Sequence, residues 1–443
     1  MPKTVKLYVL LAVCAAIYIA MGYCVERTDF TWLISLLFSA FLVSGLLFRY
    51  FDDQYKLIAF VSILFRGSLL FSIPALSDDF YRFFWDGTLY ANGLNPYLIH
   101  PGEYIRGEVL VEHITPSLFE KLNSPNYFTV YPPVCQYLFA LASVIGRNIS
   151  ESVLVMKGFI LLAEIGSIFL IIKLLRLFKM QQKNVLIYAL NPLVIMELSG
   201  NLHFEAVMIF FFLLAVYFLK TRQIALSATT LSMAVAVKLL PLIFLPFLLR
   251  RLKFQQIITY SMVIAIVLGM LFYPFISQPM LDNLWSSINL YFQTFEFNAS
   301  IYYLVRSVGF YITGYNVIAI IGPALSGITL LVVLYLAMRK NAVKGSELFV
   351  SMLLAVTVYF LLSTTVHPWY ITTLVALSVF TKYRYALLWS FLVLLSYASY
   401  GSSGFSENFY LLWVEYLLVV GIILYELFRK PLPVSTQQQP PPS

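Results

Sequence analysis

Four ionisable side chains fall within nine residues of this chain: Asp78, Asp79, Arg82 and Asp86, in the run Ser77-Asp78-Asp79-Phe80-Tyr81-Arg82-Phe83-Phe84-Trp85-Asp86-Gly87. The run follows directly on an apolar stretch long enough to cross a bilayer. Partial shielding from water favours the protonated form of a carboxylate, and a neighbouring cation favours the charged form; Arg82 is close enough in sequence to be that cation for Asp78 or Asp79. A base poised this way takes a proton from a hydroxyl while a displacement proceeds. The competing structural role is capping, because aspartate is a preferred N-cap residue. One aspartate fits a cap as well as a base; the cluster fits a cap less well. Asp79 is favoured as the base because Asp78 is better placed to cap. Tyr81 and Trp85 read as interface anchors, although stacking on a sugar face would use the same residues. Asn95-Pro96-Tyr97 reads as turn chemistry.

Three further polar groups interrupt apolar surroundings. His203 stands between Glu197 and Glu205, a set that fits neither His-Glu-x-x-His nor another recognised metal-ligand spacing, so holding a polar acceptor is the better reading. Lys238 is alone in an apolar run, where an intramembrane charge points to function; the alternative is snorkelling to the surface. His367, beside Pro368 and Trp369 at the end of a span, fits a donor to an anionic phosphate and equally an ordinary interfacial histidine.

The elements that must position these residues are membrane helices. Of 443 residues, 60% are hydrophobic and only 11% charged, and the mean hydropathy is +0.84, which excludes a soluble globular domain. The net charge of +8 comes from short Lys/Arg clusters between apolar runs, so it reports topology and not a nucleic-acid partner. Cys14, Cys24 and Cys135 are odd in number and suggest neither a disulfide framework nor a thiolate metal site. Tyrosine and tryptophan recur at the ends of apolar runs, as an interfacial belt requires.

Length and charge rules predict an all-α polytopic bundle of about twelve transmembrane helices with both termini cytoplasmic. Residues 1–430 form a single multi-span domain, and the Gln/Pro tail 431–443 is a disordered cytoplasmic extension. The first three spans, the third covering Leu57 to Leu76, deliver Asp78 to the outer face. Residues 77–133 then form a large external loop with short interfacial helices, and 277–315 a second one. Val134 to Ile145 is too short to span and reads as re-entrant. The run around Lys238, broken by Pro241 and Pro246 and basic on both flanks, reads as a hairpin entering and leaving on the cytoplasmic side. Glu197 to Glu205, Glu296 to Asn298 and His367 to Tyr370 thereby converge with Asp78 on one external face.

Taken in order, these motifs resemble the glycosyltransferase C superfamily, specifically its bacterial polyprenyl-phosphate-mannose-dependent mannosyltransferases. The resemblance rests on Asp-Asp-x-Tyr-Arg-x-x-Trp-Asp-Gly through Asn-Pro-Tyr (Asp78 to Tyr97), Tyr131-Pro132-Pro133, and Asn191-Pro192-Leu193 leading to Glu197 and Asn201-Leu202-His203. Lys238-Leu239-Leu240-Pro241, Phe297-Asn298-Ala299-Ser300 and His367-Pro368-Trp369-Tyr370 complete it. It implies an inverting transferase of the bacterial inner membrane that moves a sugar, mannose by resemblance, from a polyprenyl-phosphate donor to a lipid- or glycan-linked hydroxyl. Asp79 or Asp78 would be the general base; His367, Arg306 and Lys238 would bind the donor phosphate. Arg82, Trp85, Asp86, Glu197, His203 and Tyr370 would contact substrate, with Glu197 and His203 orienting sugar hydroxyls. No cofactor or metal is implied. The sequence departs from the family pattern at Glu205, where aspartate is expected, at Thr88, where arginine is common, and in having three spans before the motif. A lipid or glycan-precursor flippase would instead collect its polar residues near the bilayer midplane.

Overall fold

The computed structural model describes residues 2–107, 111–293, 295–401 and 404–429; the tail expected to be disordered lies outside them. Among the described residues the fold is mainly helical, with one pair of two-residue strands, Tyr400–Gly401 and Gly404–Phe405, antiparallel to each other. Among the described residues, six helices are long and apolar enough to cross a membrane: Lys3–Tyr23, Phe30–Tyr50, Ile149–Leu177, Phe254–Phe275, Ile318–Met338 and Phe409–Phe428. The pair Val194–Gly200 and Glu205–Lys220, bent by 112°, makes a seventh if counted as one span. Five more apolar helices of 10–17 residues accompany them. The chain is an integral membrane protein.

In lipid, apolar burial does little to hold helices together, so small residues and internal polar contacts carry much of the packing. The helix Ile224–Val237 is rich in Ala, Ser and Thr and lies close to Glu205–Lys220; its Ser227 Oγ donates to the Ala215 carbonyl at 2.8 Å. Deeper in the bundle, the fully enclosed Arg66 donates to Glu164 at 2.8 Å and to the Ala189 carbonyl at 2.8 Å, and Tyr188 donates to the other Glu164 oxygen. Removing one member of such a buried pair costs about 3–5 kcal/mol.

Two segments are less regular than their apolar runs suggest, and a third is broken as expected. The helix expected over Leu57 to Leu76 occupies only Tyr55–Ser68. Pro74 disfavours helix for the residue before it, and the buried Lys157 ammonium donates to the Leu69 carbonyl at 2.9 Å and to Ser72 Oγ at 2.8 Å, fixing an irregular exit. The stretch after Val185 is likewise broken. A turn over Leu186–Ala189 stops at Asn191-Pro192, where Asn191 Oδ1 accepts the Val194 N–H at 3.2 Å, and the chain resumes as a π-helix over Val194–Gly200. Around Lys238 the break is as expected: Ile224–Val237 ends there, and short turns over Leu240–Phe244 and Leu245–Leu249 each carry a proline near their start. Irregular backbone of this kind persists at membrane depth where it is buried or lines a cavity.

Candidate functional site

Asp79 opens the helix Asp79–Ala91, and contacts from four separate segments set its position. Its own N–H donates to Ser77 Oγ at 3.3 Å. Ahead of it, the Leu76 N–H is held by Asn201 Oδ1 at 3.3 Å, while Arg27 Nη2 donates to Asp78 at 2.7 Å. Its carboxylate accepts from Asn123 Nδ2 at 2.6 Å and from the Tyr131 hydroxyl at 3.5 Å. Burial raises the pKa of Asp79 above the ordinary aspartate value, and the Asn123 hydrogen bond opposes that rise only in part. Gly87 brings the helix against Pro133–Ile145: a Cβ there would stand 2.4 Å from the Phe139 carbonyl oxygen. The Asn95 side chain makes the expected turn, accepting the Tyr97 N–H at 3.1 Å, and the Tyr97 hydroxyl then pins the Tyr131 carbonyl at 2.6 Å.

Two cavities meet at Asp79. The larger, about 560 Å³, is polar and aromatic, with Arg27, Asp78, Asn123, Glu296, His367 and Tyr400 among its lining residues. The smaller, about 240 Å³, is mainly apolar and reaches past Phe83, Cys135 and Phe360 to His203, Glu205, Lys238 and Tyr370. Asp79, Val130, Tyr131, Ser287 and Trp369 line both.

Between the cavities runs a stack of rings. His203 lies on one face of Trp369 with centroids 3.9 Å apart, His367 on the other at 4.4 Å, and Phe297 beyond His367 at 4.7 Å. Each histidine keeps one buried nitrogen without a hydrogen-bond partner, Nε2 of His203 and Nδ1 of His367. The Glu197 carbonyl accepts from His203 Nδ1 at 2.8 Å, which leaves Nε2 as an acceptor in the neutral ring. Burial pushes the His367 pKa down to about 3, so this ring is neutral at physiological pH. The stack is held from behind by Asn298, whose φ of 47° is unusual for a side-chain-bearing residue. Its N–H donates to Glu407 at 2.6 Å, its side chain to Glu415 at 3.2 Å, and the Phe297 carbonyl accepts the Val366 N–H at 2.9 Å, locking the two strands of chain together.

Of the residues singled out in the sequence, Asp79, Asp78, Arg82, His203, His367, Lys238 and Tyr370 line one or other cavity. Lys238 pairs with Glu205 and sits 4.0 Å above the centroid of the Tyr370 ring, so it faces the smaller cavity and does not snorkel away. Three expectations change. Asp78 makes no side-chain cap hydrogen bond; its carboxylate is taken by Arg27. Arg82 is not the cation beside Asp78 or Asp79: it donates to Asp86 at 2.8 Å and to the Ser124 and Tyr127 carbonyls, because it points into the loop interior. Trp85 is no interface anchor but is wholly buried in a small core with Phe84, Leu89, Tyr104, Leu118 and Leu122. Glu197 and Asp86 are enclosed away from both cavities; Glu197 accepts from the Tyr397 hydroxyl at 2.7 Å and braces His203. Arg306 pairs with Glu296 and lines neither cavity. Sequence reasoning missed Arg27, Asn123, Tyr397 and Tyr400. Arg27 carried one signal, a charge in the short loop between two apolar runs, but nothing in the sequence tied it to Asp78.

A family model described as alpha-(1->6)-mannopyranosyltransferase, N-terminal domain, matches residues 11–252, more than half the chain and the whole stretch from before Arg27 to beyond Lys238. The chain belongs to this family, MptA_B. No curated protein matches it. Membership in the mannopyranosyltransferase family makes this integral membrane protein a mannosyltransferase. The matched segment supplies both aspartates, the Tyr131 turn, His203, Glu205 and Lys238; the later segment supplies His367, Trp369 and the Asn298 support.

Proposed function

We propose that the protein transfers mannose from a polyprenyl-phosphate donor to a lipid- or glycan-linked hydroxyl acceptor at the external membrane face, in one inverting displacement with Asp79 as general base. The observation that carries this reading is the position of Asp79 on the wall shared by a polar, aromatic-lined cavity and an apolar one containing Lys238. The larger cavity suits a hydrated sugar acceptor, and the smaller suits the first isoprene units and phosphate of a lipid donor. The acceptor O–H bond breaks with its proton passing to the Asp79 carboxylate, the oxygen bonds to the anomeric carbon, and the phosphate leaves with the electron pair of the old C–O bond. Lys238, shared with Glu205, offsets the charge that develops on the phosphate. The unpartnered Nε2 of His203 accepts from a sugar hydroxyl, and Nδ1 of His367 meets a hydroxyl or a phosphate oxygen. Trp85, Asp86 and Glu197 hold this geometry without touching substrate; Tyr370 carries Lys238 over its ring.

The family description specifies an alpha-(1->6) product. A single inverting step that gives an α-linkage consumes a β-linked donor, so the reading names the donor anomer. With both termini inside a bacterial membrane, an external Asp78 requires that the 14-residue helix Tyr55–Ser68 and its irregular exit complete a third crossing. Purified protein in lipid nanodiscs, given polyprenyl-phospho-β-mannose and an oligosaccharide acceptor, releases polyprenyl phosphate and elongates the acceptor; the α-anomer is not consumed. Turnover of the α-anomer, or none with either, overturns the reading.

A further inference from the structure

Arg27 belongs to none of the motifs above, yet its guanidinium reaches across from the loop between Lys3–Tyr23 and Phe30–Tyr50 into the wall of the larger cavity. Nη2 donates to Asp78 Oδ2 at 2.7 Å, Nη1 to the Leu76 carbonyl at 3.5 Å, and the group lies over the Tyr400 ring, 4.4 Å from its centroid. The pair remains open to the cavity, with the Arg27 side chain 26% and the Asp78 side chain 41% exposed. N–H donors and a charged acceptor thus stand side by side one residue from Asp79. Two neighbouring hydroxyls of a sugar ring present the complementary set, since each both donates and accepts.

We infer that Arg27 and Asp78 act as one unit that grips a vicinal diol of the acceptor sugar and sets the attacking hydroxyl against Asp79, with Arg27 as a positioning and specificity residue. This rests on the transferase reading above. The first two helices thereby serve the site, because the loop that joins them carries Arg27 to it. The adjacent aspartates also take separate roles, Asp78 holding the acceptor and Asp79 taking its proton.

The test compares wild type with Arg27→Gln, Arg27→Lys, Asp78→Asn and the Arg27→Gln/Asp78→Asn double variant in nanodiscs. Acceptor KM, donor KM and kcat are measured, with binding of the oligosaccharide acceptor alone followed by calorimetry. Arg27→Gln and Asp78→Asn each raise the acceptor KM and Kd by about tenfold to a hundredfold, leave the donor KM unmoved, and combine without adding, because they remove one interaction. Arg27→Lys recovers part of the loss, and melting temperatures stay close to wild type. An acceptor lacking one hydroxyl of the diol weakens wild type by a like factor and the double variant no further. Unchanged acceptor binding in Arg27→Gln overturns the inference. So does a loss confined to kcat in Asp78→Asn, which would make Asp78 the base. Calorimetric binding that depends on Arg27 in a protein that transfers no mannose would sustain the inference about the acceptor while overturning the transferase reading.

Discussion

At the scale of single residues, the account turns on two adjacent aspartates with different surroundings. Asp78 meets a cation at 2.7 Å, whereas Asp79 meets only neutral donors, Asn123 and Tyr131. Their proximity was plain in the sequence, but the partner that distinguishes them lies 51 positions away from Asp78, a separation no spacing rule reaches. Arg82, four residues from Asp78, was the nearer choice and the wrong one, because a guanidinium on a buried helix face finds carbonyls as readily as carboxylates. The raised pKa of Asp79 gives two expected outcomes. As a base it works deprotonated, so kcat/KM rises with pH through its folded-state pKa, and the acid limb lies above the ordinary aspartate value of 3.8. An acid whose folded pKa is raised contributes stability that is present below its unfolded pKa and lost as pH rises through the folded one. Asp79→Asn therefore melts slightly above wild type at neutral pH, and the difference vanishes below about pH 4; differential scanning fluorimetry across that range checks it. An acid limb that persists in Asp79→Asn would show that another group governs it.

At the scale of elements, the site depends on helices that stop early or pack unusually closely. Hydrophobic runs showed where helices exist, yet they overestimated the third one, because a buried lysine satisfying the exit carbonyl is invisible to a hydropathy window. The proline break near Lys238 was legible for the opposite reason: a ring without an N–H marks its own effect. Gly87 lets the Asp79 helix approach its neighbour so closely that an added Cβ would meet the Phe139 backbone. Gly87→Ala must push the two helices apart, costing about 1–3 kcal/mol and moving Asp79, so both melting temperature and kcat fall. Equal kcat in the two proteins would show that the helix spacing does not set the base. Asn298 tests the support behind the histidine stack. Both Asn298→Gly and Asn298→Ala lose the hydrogen bonds to Glu415, but only alanine also bears the strain of positive φ. The alanine variant is therefore the less stable by about 1 kcal/mol, and equal melting curves would remove strain from the explanation.

At the scale of the whole molecule, a broken bundle brings residues from loop 24–29 to the strand Gly404–Phe405 around one pair of cavities, with Glu415 of helix 409–428 supporting Asn298 from behind. The sequence motifs had already grouped Asp78, His203, Glu296 and His367 at one end, and the structure does gather them; it leaves Arg306 outside the cavity walls, since Glu296 captures it first. What no motif indicated is that Trp369 stands between the two chambers with a histidine on each face. Opposite this end, Lys3 pairs with Asp53 and Lys183 with Asp52. In a Cys24→Ser background, cysteines at Asn92 and Lys344 should label from opposite sides of the membrane, Asn92 from outside; labelling of both from one side would contradict the topology.

The central claim is that Asp79 takes the acceptor proton, and the most direct measurement is release of polyprenyl phosphate by purified Asp79→Asn under saturating donor and acceptor. The account predicts that kcat falls by about 10²–10⁴-fold with the donor and acceptor affinities and the fold preserved. Turnover within a few-fold of wild type would contradict it.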